Sequence, residues 1–322
     1  MKAKNCLIFG GSGQIGRNLI RKLTKSNYKV TVVTRNIHQK SYIIKTQANA
    51  GYIEIVEANI FDEIKIRKLF KNNDICINLV GILFEQKKGN TFNNIHSVFP
   101  SLLAKLSKEY NLKHFIHLSA LGINEAKDSN YAASKLEGEN KVLKNFPLAT
   151  ILRPSIVYSV DDKFTTNFMT LLSRMPIMPL YYDGLTKFRP IHVTDLVKII
   201  FEMVNNNMNN IVVECIGPEE LTFKDIIEQL LKSINRSRLL IPLPLFIAKI
   251  TAKILQILPK PLLTEDQLKL LKYNNVSSGN YKTNFDLGFK ADKIFNIEIN
   301  KYSYNWRSGG QFAKKNETVN TK

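Results

Sequence analysis

Leu7-Ile8-Phe9-Gly10-Gly11-Ser12-Gly13-Gln14-Ile15-Gly16, followed at once by Arg17-Asn18-Leu19-Ile20, decides how the chain is read. An apolar β-like run breaks into a glycine-rich turn, and apolar residues then recur at helical spacing at Ile15, Leu19, Ile20 and Leu23. This is the strand, turn and helix start of a dinucleotide-binding βαβ unit. Glycine suits the turn because a missing Cβ permits φ > 0 and lets backbone approach a pyrophosphate closely. The phosphates then face the N–H groups and the positive dipole end of the following helix. Gly10, Gly11, Ser12, Gly13, Gln14, Ile15 and Gly16 are the first expected cofactor-binding residues. Many tight turns share this pattern, so its weight depends on the rest of the chain.

After the first helix, Lys29-Val30-Thr31-Val32-Val33-Thr34-Arg35-Asn36 reads as a second strand ending on a cation. An acid at this point binds a ribose 2′-hydroxyl, whereas an arginine suits a 2′-phosphate. Arg35 therefore favours NADP(H), with NAD(H) as the alternative. Tyr52-Ile53-Glu54-Ile55-Val56-Glu57 is a third strand, and Asn59 and Ile60 follow it near the expected adenine edge, before a helix that Asp62 caps. The run from Asp74 to Ile82 is nearly all apolar, as a strand buried on both faces should be. It brings Leu79, Val80 and Gly81 to the cofactor. A helix through Ser101 to Ser107 and a strand from His114 to Ala120 continue the alternation. The pattern predicts an α/β fold with a Rossmann-type doubly wound parallel sheet. Ligands bind at the carboxyl edge of such a sheet, where Gly10, Arg35, Gly81 and Ser119 all fall.

Tyr131 and Lys135 stand four apart on a helical segment, so they share a face. A cation beside a phenol favours phenolate and brings its pKa down toward working pH. Ser119, Tyr131 and Lys135 are the expected catalytic residues: Ser119 to hold a carbonyl oxygen, and Tyr131 to pass a proton while a nicotinamide passes a hydride.

The glycines at 10, 13 and 16, Ser119, Tyr131, Lys135 and the segment Leu152-Arg153-Pro154-Ser155-Ile156-Val157-Tyr158 resemble the short-chain dehydrogenase/reductase superfamily, in its extended and atypical, epimerase/dehydratase-like branches. More narrowly, Ile77-Asn78-Leu79-Val80-Gly81-Ile82-Leu83-Phe84-Glu85, the turn at Leu118-Ser119-Ala120-Leu121-Gly122 and Arg189-Pro190-Ile191-His192-Val193-Thr194-Asp195 resemble the nucleotide-binding accessory subunits of respiratory complex I and their bacterial relatives. The resemblance, over roughly residues 4 to 290, implies a tightly held NADPH, contacts from Pro154 and Ile156, and a structural role in the mitochondrial members. Two departures stand out. His96 occupies the place of the asparagine that organises the proton relay in extended reductases, and is read as a buried, hydrogen-bonded histidine. Val157-Tyr158-Ser159-Val160 replaces the usual Val-Tyr-Gly-Pro.

The chain has 322 residues, 44% hydrophobic and 23% charged, which accommodates one large α/β domain and a smaller appendage. The expected division is a nucleotide-binding domain over 1–160, with sheet contributions from 185–217. A smaller C-terminal α+β region over 161–300 and a polar, disordered tail over 301–322 complete it. Forty-six basic against 27 acidic residues give a formal charge of +19, which favours anionic partners. The lysines are dispersed and no nucleic-acid motif accompanies them, so no nucleic-acid partner is expected. Cys6, Cys76 and Cys215 lie in apolar stretches without a C-x-x-C pair, so they read as buried thiols, and no metal site is expected. The first strand starts within a few residues of Met1, and no uncharged apolar run is long enough to span a bilayer. A cytoplasmic or matrix-side location follows, neither secreted nor membrane-spanning, with peripheral contact at an inner membrane allowed.

His192 and Asp195 read as structural, Asp195 as a helix-capping acid. The stretch Met175 to Gly184, rich in proline and aromatics, reads as a loop, and Thr222 with Asp225 as a helix-capping pair. From Glu228 to Glu265 no acid intervenes, while Lys232, Arg236, Arg238, Lys249, Lys253 and Lys260 are all basic. Within that window, residues 245–258 form a proline-bracketed apolar helix with one narrow basic face, about 21 Å long at 1.5 Å per residue. It fits an interfacial anchor on anionic lipid, a partner-docking helix, or a core helix. Two functions follow: a dinucleotide-loaded assembly protein docked on a membrane complex such as complex I, or an NADP-dependent reductase of a quinone or small carbonyl.

Overall fold

The computed structural model describes residues 4–86, 89–256 and 263–310. Its central sheet has eight parallel strands: β1 (Asn5–Phe9), β2 (Lys29–Thr34), β3 (Ile53–Glu57), β4 (Ile75–Asn78), β5 (His114–Leu118), β6 (Thr150–Pro154), β7 (Ile211–Cys215) and β8 (Lys282–Thr283). They lie in the order β8-β7-β6-β5-β4-β1-β2-β3, so the direction of winding reverses between β1 and β4. The Rossmann-type doubly wound architecture expected from the strand and helix alternation is the one observed.

Side-chain alternation along β1 shows how both faces are filled. Cys6 and Ile8 enter a core built with α1 (Gln14–Lys25), α2 (Ile37–Lys45) and, later in the chain, Val193–Asn205. Leu7 and Phe9 enter the opposite core, with α3 (Glu63–Phe70), α4 (Phe99–Glu109) and α5 (Asn130–Asn145). All three cysteines are free and buried. Asp62 caps α3 by accepting from the Lys65 N–H at 3.0 Å.

A third core packs the C-terminal region, where α6 (Thr165–Arg174), α8 (Phe223–Ser233), α9 (Leu245–Leu255), α10 (Glu265–Leu270) and α11 (Phe295–Asn300) lie between short strands; α7 (Val193–Asn205) belongs to the first core. Thr222 and Asp225 form the capping box at the start of α8. The second half also returns to the main sheet as β7 and β8, so the two regions are interleaved along the chain.

Three expectations need correction. The stretch Met175 to Gly184 contains a strand, Ile177–Leu180, paired in parallel with Leu239–Pro242, because two short extended segments complete each other's backbone bonds. Asp195 does not cap its own helix; His192 takes that place, and Asp195 accepts the N–H groups of Asp292 and Lys293 at 3.1 and 3.0 Å. The start of the supposed polar tail is folded. Tyr302 and Ser303 are buried, Trp306 donates to Thr170 Oγ1 at 2.9 Å, and Arg307 donates to the Ser233 carbonyl at 2.7 Å. Residues 311–322 lie outside the described residues.

In α9, Ala248 is buried, while Leu245, Phe246, Lys249, Ile250 and Lys253 are exposed. Residues 257 and 258 of the expected element lie outside the described residues. No described helix is long and apolar enough to cross a membrane.

Candidate functional site

At Gly10 and Gly16 the turn between β1 and α1 has no room for side chains because backbone stands in the way. Gly10 has φ +84°, and a Cβ there would lie 2.9 Å from the Leu79 carbonyl carbon. A Cβ on Gly16 would lie 2.5 Å from the Gly10 oxygen and 2.6 Å from the Gly11 Cα, both backbone atoms that cannot swing aside. The sharp turn aims the start of α1 along the carboxyl edge. Gly13 is the N-cap, so no side chain covers the helix start, and the first turn carries no acid. The opening N–H groups of a helix have no partner within it. Ser12, Gln14 and Ile15 are half-buried around this cradle. Gln14 donates to the Val157 carbonyl at 3.4 Å and Arg17 pairs with Asp161, which ties the loop after β6 to α1.

The other residues expected at the cofactor follow the same edge. Arg35 is exposed just past β2, donating to Asn90 Oδ1 at 3.2 Å. Asn59 is exposed after β3, whereas the Ile60 side chain turns into the core, leaving only its backbone to face a ligand. Leu79 and Val80 are half-buried beyond β4, with Val80 donating to Asn78 Oδ1 at 3.1 Å. Pro154 ends β6, its carbonyl accepting the Leu121 N–H at 2.9 Å; Ile156 is half-buried two residues on.

Ser119 lies just past β5 and Tyr131 and Lys135 lie on α5, with Lys135 reaching back to the residue before Ser119. Ser119 is buried, and its Oγ has no hydrogen-bond partner among the described residues. Lys135 is buried, its Nζ donating to the Leu118 carbonyl at 3.1 Å. Gly81 gives this ammonium space: a Cβ there would stand 3.4 Å from Lys135 Nζ. Burial lowers the Lys135 pKa to about 8. The expectation that Lys135 draws the phenol of Tyr131 down fails. Burial, and then the charge of Asp266, raise Tyr131 to about 12, while the ammonium is engaged on the Leu118 carbonyl.

His96 explains much of this geometry. It lies in a π-helical turn, Asn93–Val98, a form that often marks functional sites. The ring is fully buried, stacks on Phe92 and meets Tyr131 edge-on at 5.2 Å. Its Nε2 accepts the Ile82 N–H at 3.1 Å, so in the neutral ring Nδ1 carries the proton and donates to Ser134 Oγ at 3.0 Å. Ser134 then donates to the Tyr131 carbonyl at 2.8 Å. Burial first, then Lys135 and His117, hold the His96 pKa near 2, so it stays neutral.

Sequence reasoning missed several supports. Glu139 and Arg153 form a buried ion pair with contacts of 2.5, 2.9 and 3.2 Å. His117 Nδ1 meets Asn78 Nδ2 at 3.1 Å across β4 and β5. Asn275 accepts from Ser155 at 2.6 Å and donates to the Leu121 carbonyl at 2.8 Å, closing the edge from the C-terminal region. Asp266 accepts from the start of α5. No local pattern marks Asn275 or Asp266; a polar residue inside an apolar strand is the one cue that His117 carried. Among the described residues no cluster fit to hold a metal ion occurs.

Residues 6–214 match the NAD dependent epimerase/dehydratase family. The chain is 24% identical over 308 residues to the mitochondrial NADH-ubiquinone oxidoreductase 40 kDa subunit of Neurospora crassa, covering 95% of this chain and 80% of that protein. It is 25% identical over 315 residues to the mitochondrial NADH dehydrogenase [ubiquinone] 1 alpha subcomplex subunit 9 of Arabidopsis thaliana, covering 94% and 78%. Among solved structures it resembles the dTDP-glucose 4,6-dehydratase of Bacillus anthracis in complex with NAD. That match has a TM-score of 0.69 and 16% identity, covers 94% of this chain and 96% of that one, and concerns the fold.

Proposed function

Because the chain belongs to the NAD dependent epimerase/dehydratase family, we propose that it holds a nicotinamide dinucleotide, NADP(H) in preference to NAD(H), as a peripheral component of a membrane-associated complex of the respiratory complex I kind. The observation that carries the binding reading is the glycine cradle: Gly10 and Gly16 exclude side chains where the uncapped start of α1 opens. Gly11 and Gly13 complete that cradle. Arg35, exposed at the end of β2, is the cation for a 2′-phosphate. The relatives named as complex I subunits support the assembly role. The exposed apolar and basic side chains of α9 supply a surface for docking on a partner or an anionic membrane, on the matrix or cytoplasmic side.

A second reading is favoured by one observation, the buried Ser119 hydroxyl without a protein partner. A buried donor of that kind matches a substrate oxygen. Here the protein is a reductase of a quinone or small carbonyl. Ser119 Oγ orients the carbonyl, Tyr131 donates its phenolic proton, and Lys135 holds the adjoining polar groups in place. A bound reduced nicotinamide supplies hydride.

Nucleotide released from freshly purified protein and turnover with quinones and carbonyls test both readings. NADPH is the expected nucleotide, and Arg35→Asp should weaken NADPH far more than NADH; equal losses would remove the 2′-phosphate assignment. NADPH oxidation that Tyr131→Phe abolishes would establish the reductase and end a purely structural account.

A further inference from the structure

Helix α5 begins with an unusual debt of hydrogen bonds. It carries no acid in its first turn, and its own cap, Ser129, satisfies only the Ala132 N–H, at 3.3 Å. The remaining donors go to one residue far along the chain. Asp266 Oδ1 accepts the Asn130 N–H at 2.7 Å, and Oδ2 accepts the Tyr131 N–H at 3.0 Å and the Ser129 hydroxyl at 2.8 Å. Asp266 sits in α10, whose start is fixed by the Thr264 and Gln267 capping box. A carboxylate at this point also answers the positive dipole end of α5.

Tyr131 is therefore held from both sides of its backbone. Its N–H is fixed by Asp266 and its carbonyl by Ser134, which His96 holds in turn. Two ionisable side chains contact the tyrosine, His96 from the π-helical turn at its ring and Asp266 from α10 at its N–H, while Lys135 follows one turn on along α5. His96 is neutral and the Lys135 ammonium is directed onto Leu118. Asp266 is the anion of the set.

We propose that Asp266 is a positioning residue for Tyr131: its carboxylate pins the first turn of α5 and sets a negative charge at the tyrosine's own N–H, so that Tyr131 is presented as a proton donor. The purpose of this arrangement rests on the reductase reading, but its test does not. Burial and Asp266 both act in the direction of a protonated phenol.

The test replaces Tyr131 by 3,5-difluorotyrosine, whose fluorines bring the phenol into an accessible pH range, and follows its titration by ¹⁹F NMR. Asp266→Asn should lower the midpoint relative to the unaltered protein, whereas Asp266→Glu, which keeps the charge, should leave it close to the original. Amide exchange at Asn130 and Tyr131 should quicken on the order of tenfold in Asp266→Asn, as expected on loss of charge-assisted bonds, with β1 to β5 unaffected. If Asp266→Asn does not fold, Asp266→Ser removes the charge while keeping a small acceptor and carries the same comparison. An unchanged midpoint in the neutral variant, or exchange that quickens equally across the sheet, overturns the proposal. None of these readouts needs bound nucleotide or turnover, so they stand or fall apart from the proposed function.

Discussion

Behind the carboxyl edge, Asn78, His96, His117, Lys135, Glu139 and Arg153 are each at most 4% exposed, and most are held by hydrogen bonds from neighbouring strands and helices. On the C-terminal region the pattern is reversed: Leu239, Phe246 and Ile250 are each more than half exposed, beside basic side chains at Lys249 and Lys253. Burying polar groups costs free energy unless each finds a partner, so the first arrangement ties stability to protonation and geometry. The second leaves apolar area in water, where single residues contribute little to folding and remain free for docking.

The largest expected effect is on acid stability. His96, His114 and His117 are buried, and burial holds them near pKa 2, 4 and 3, against 6.5 when exposed. Between those limits the unfolded chain binds more protons than the folded one, so stability rises with pH and falls on acidification below about 6.5. Each group contributes a slope approaching about 1.4 kcal/mol per pH unit, and the three together roughly 4–6 kcal/mol between pH 7.5 and 5. Urea unfolding at the two pH values measures this; equal stability at both would show that these rings are accessible to protons in the native state. Next in size, Glu139→Ala leaves Arg153 buried without its partner and should cost about 3–5 kcal/mol in the same assay. A loss under about 1 kcal/mol would place that pair with ordinary surface pairs. At the small end, Phe246→Ser should change stability by about 0.5 kcal/mol or less, as exposed substitutions do. On the docking role proposed for α9 it should nevertheless reduce retention on anionic vesicles; a large stability loss would instead place Phe246 in the core.

The same contrast governs what could be read from sequence. β1, β4 and β5 announce themselves because strands buried on both faces need continuous apolar runs, and the Gly10 turn follows from the missing Cβ. Ser119, Tyr131 and Lys135 were legible because all three lie on or just after consecutive elements. The direction of the Tyr131 shift was not. A cation four residues along is visible in the sequence, whereas burial and a carboxylate 135 residues away are not. β8 is two residues long and carries no periodicity. The fold of residues 302–307 depends on bonds to Thr170 and Ser233, which no local composition encodes.

The contact between Asp266 and the start of α5 also orders events in time. It closes a loop of 135 residues, and closure entropy grows as about (3/2)RT ln n, so bonds of such span form late compared with helices and neighbouring strands. A chain emerging from the ribosome therefore carries β1 to β6 while Tyr131 still lies in a first turn without its carboxylate. The tyrosine is thus the last part of this edge to be set, and a chain cut short of Asp266 would lose the carboxylate that fixes it.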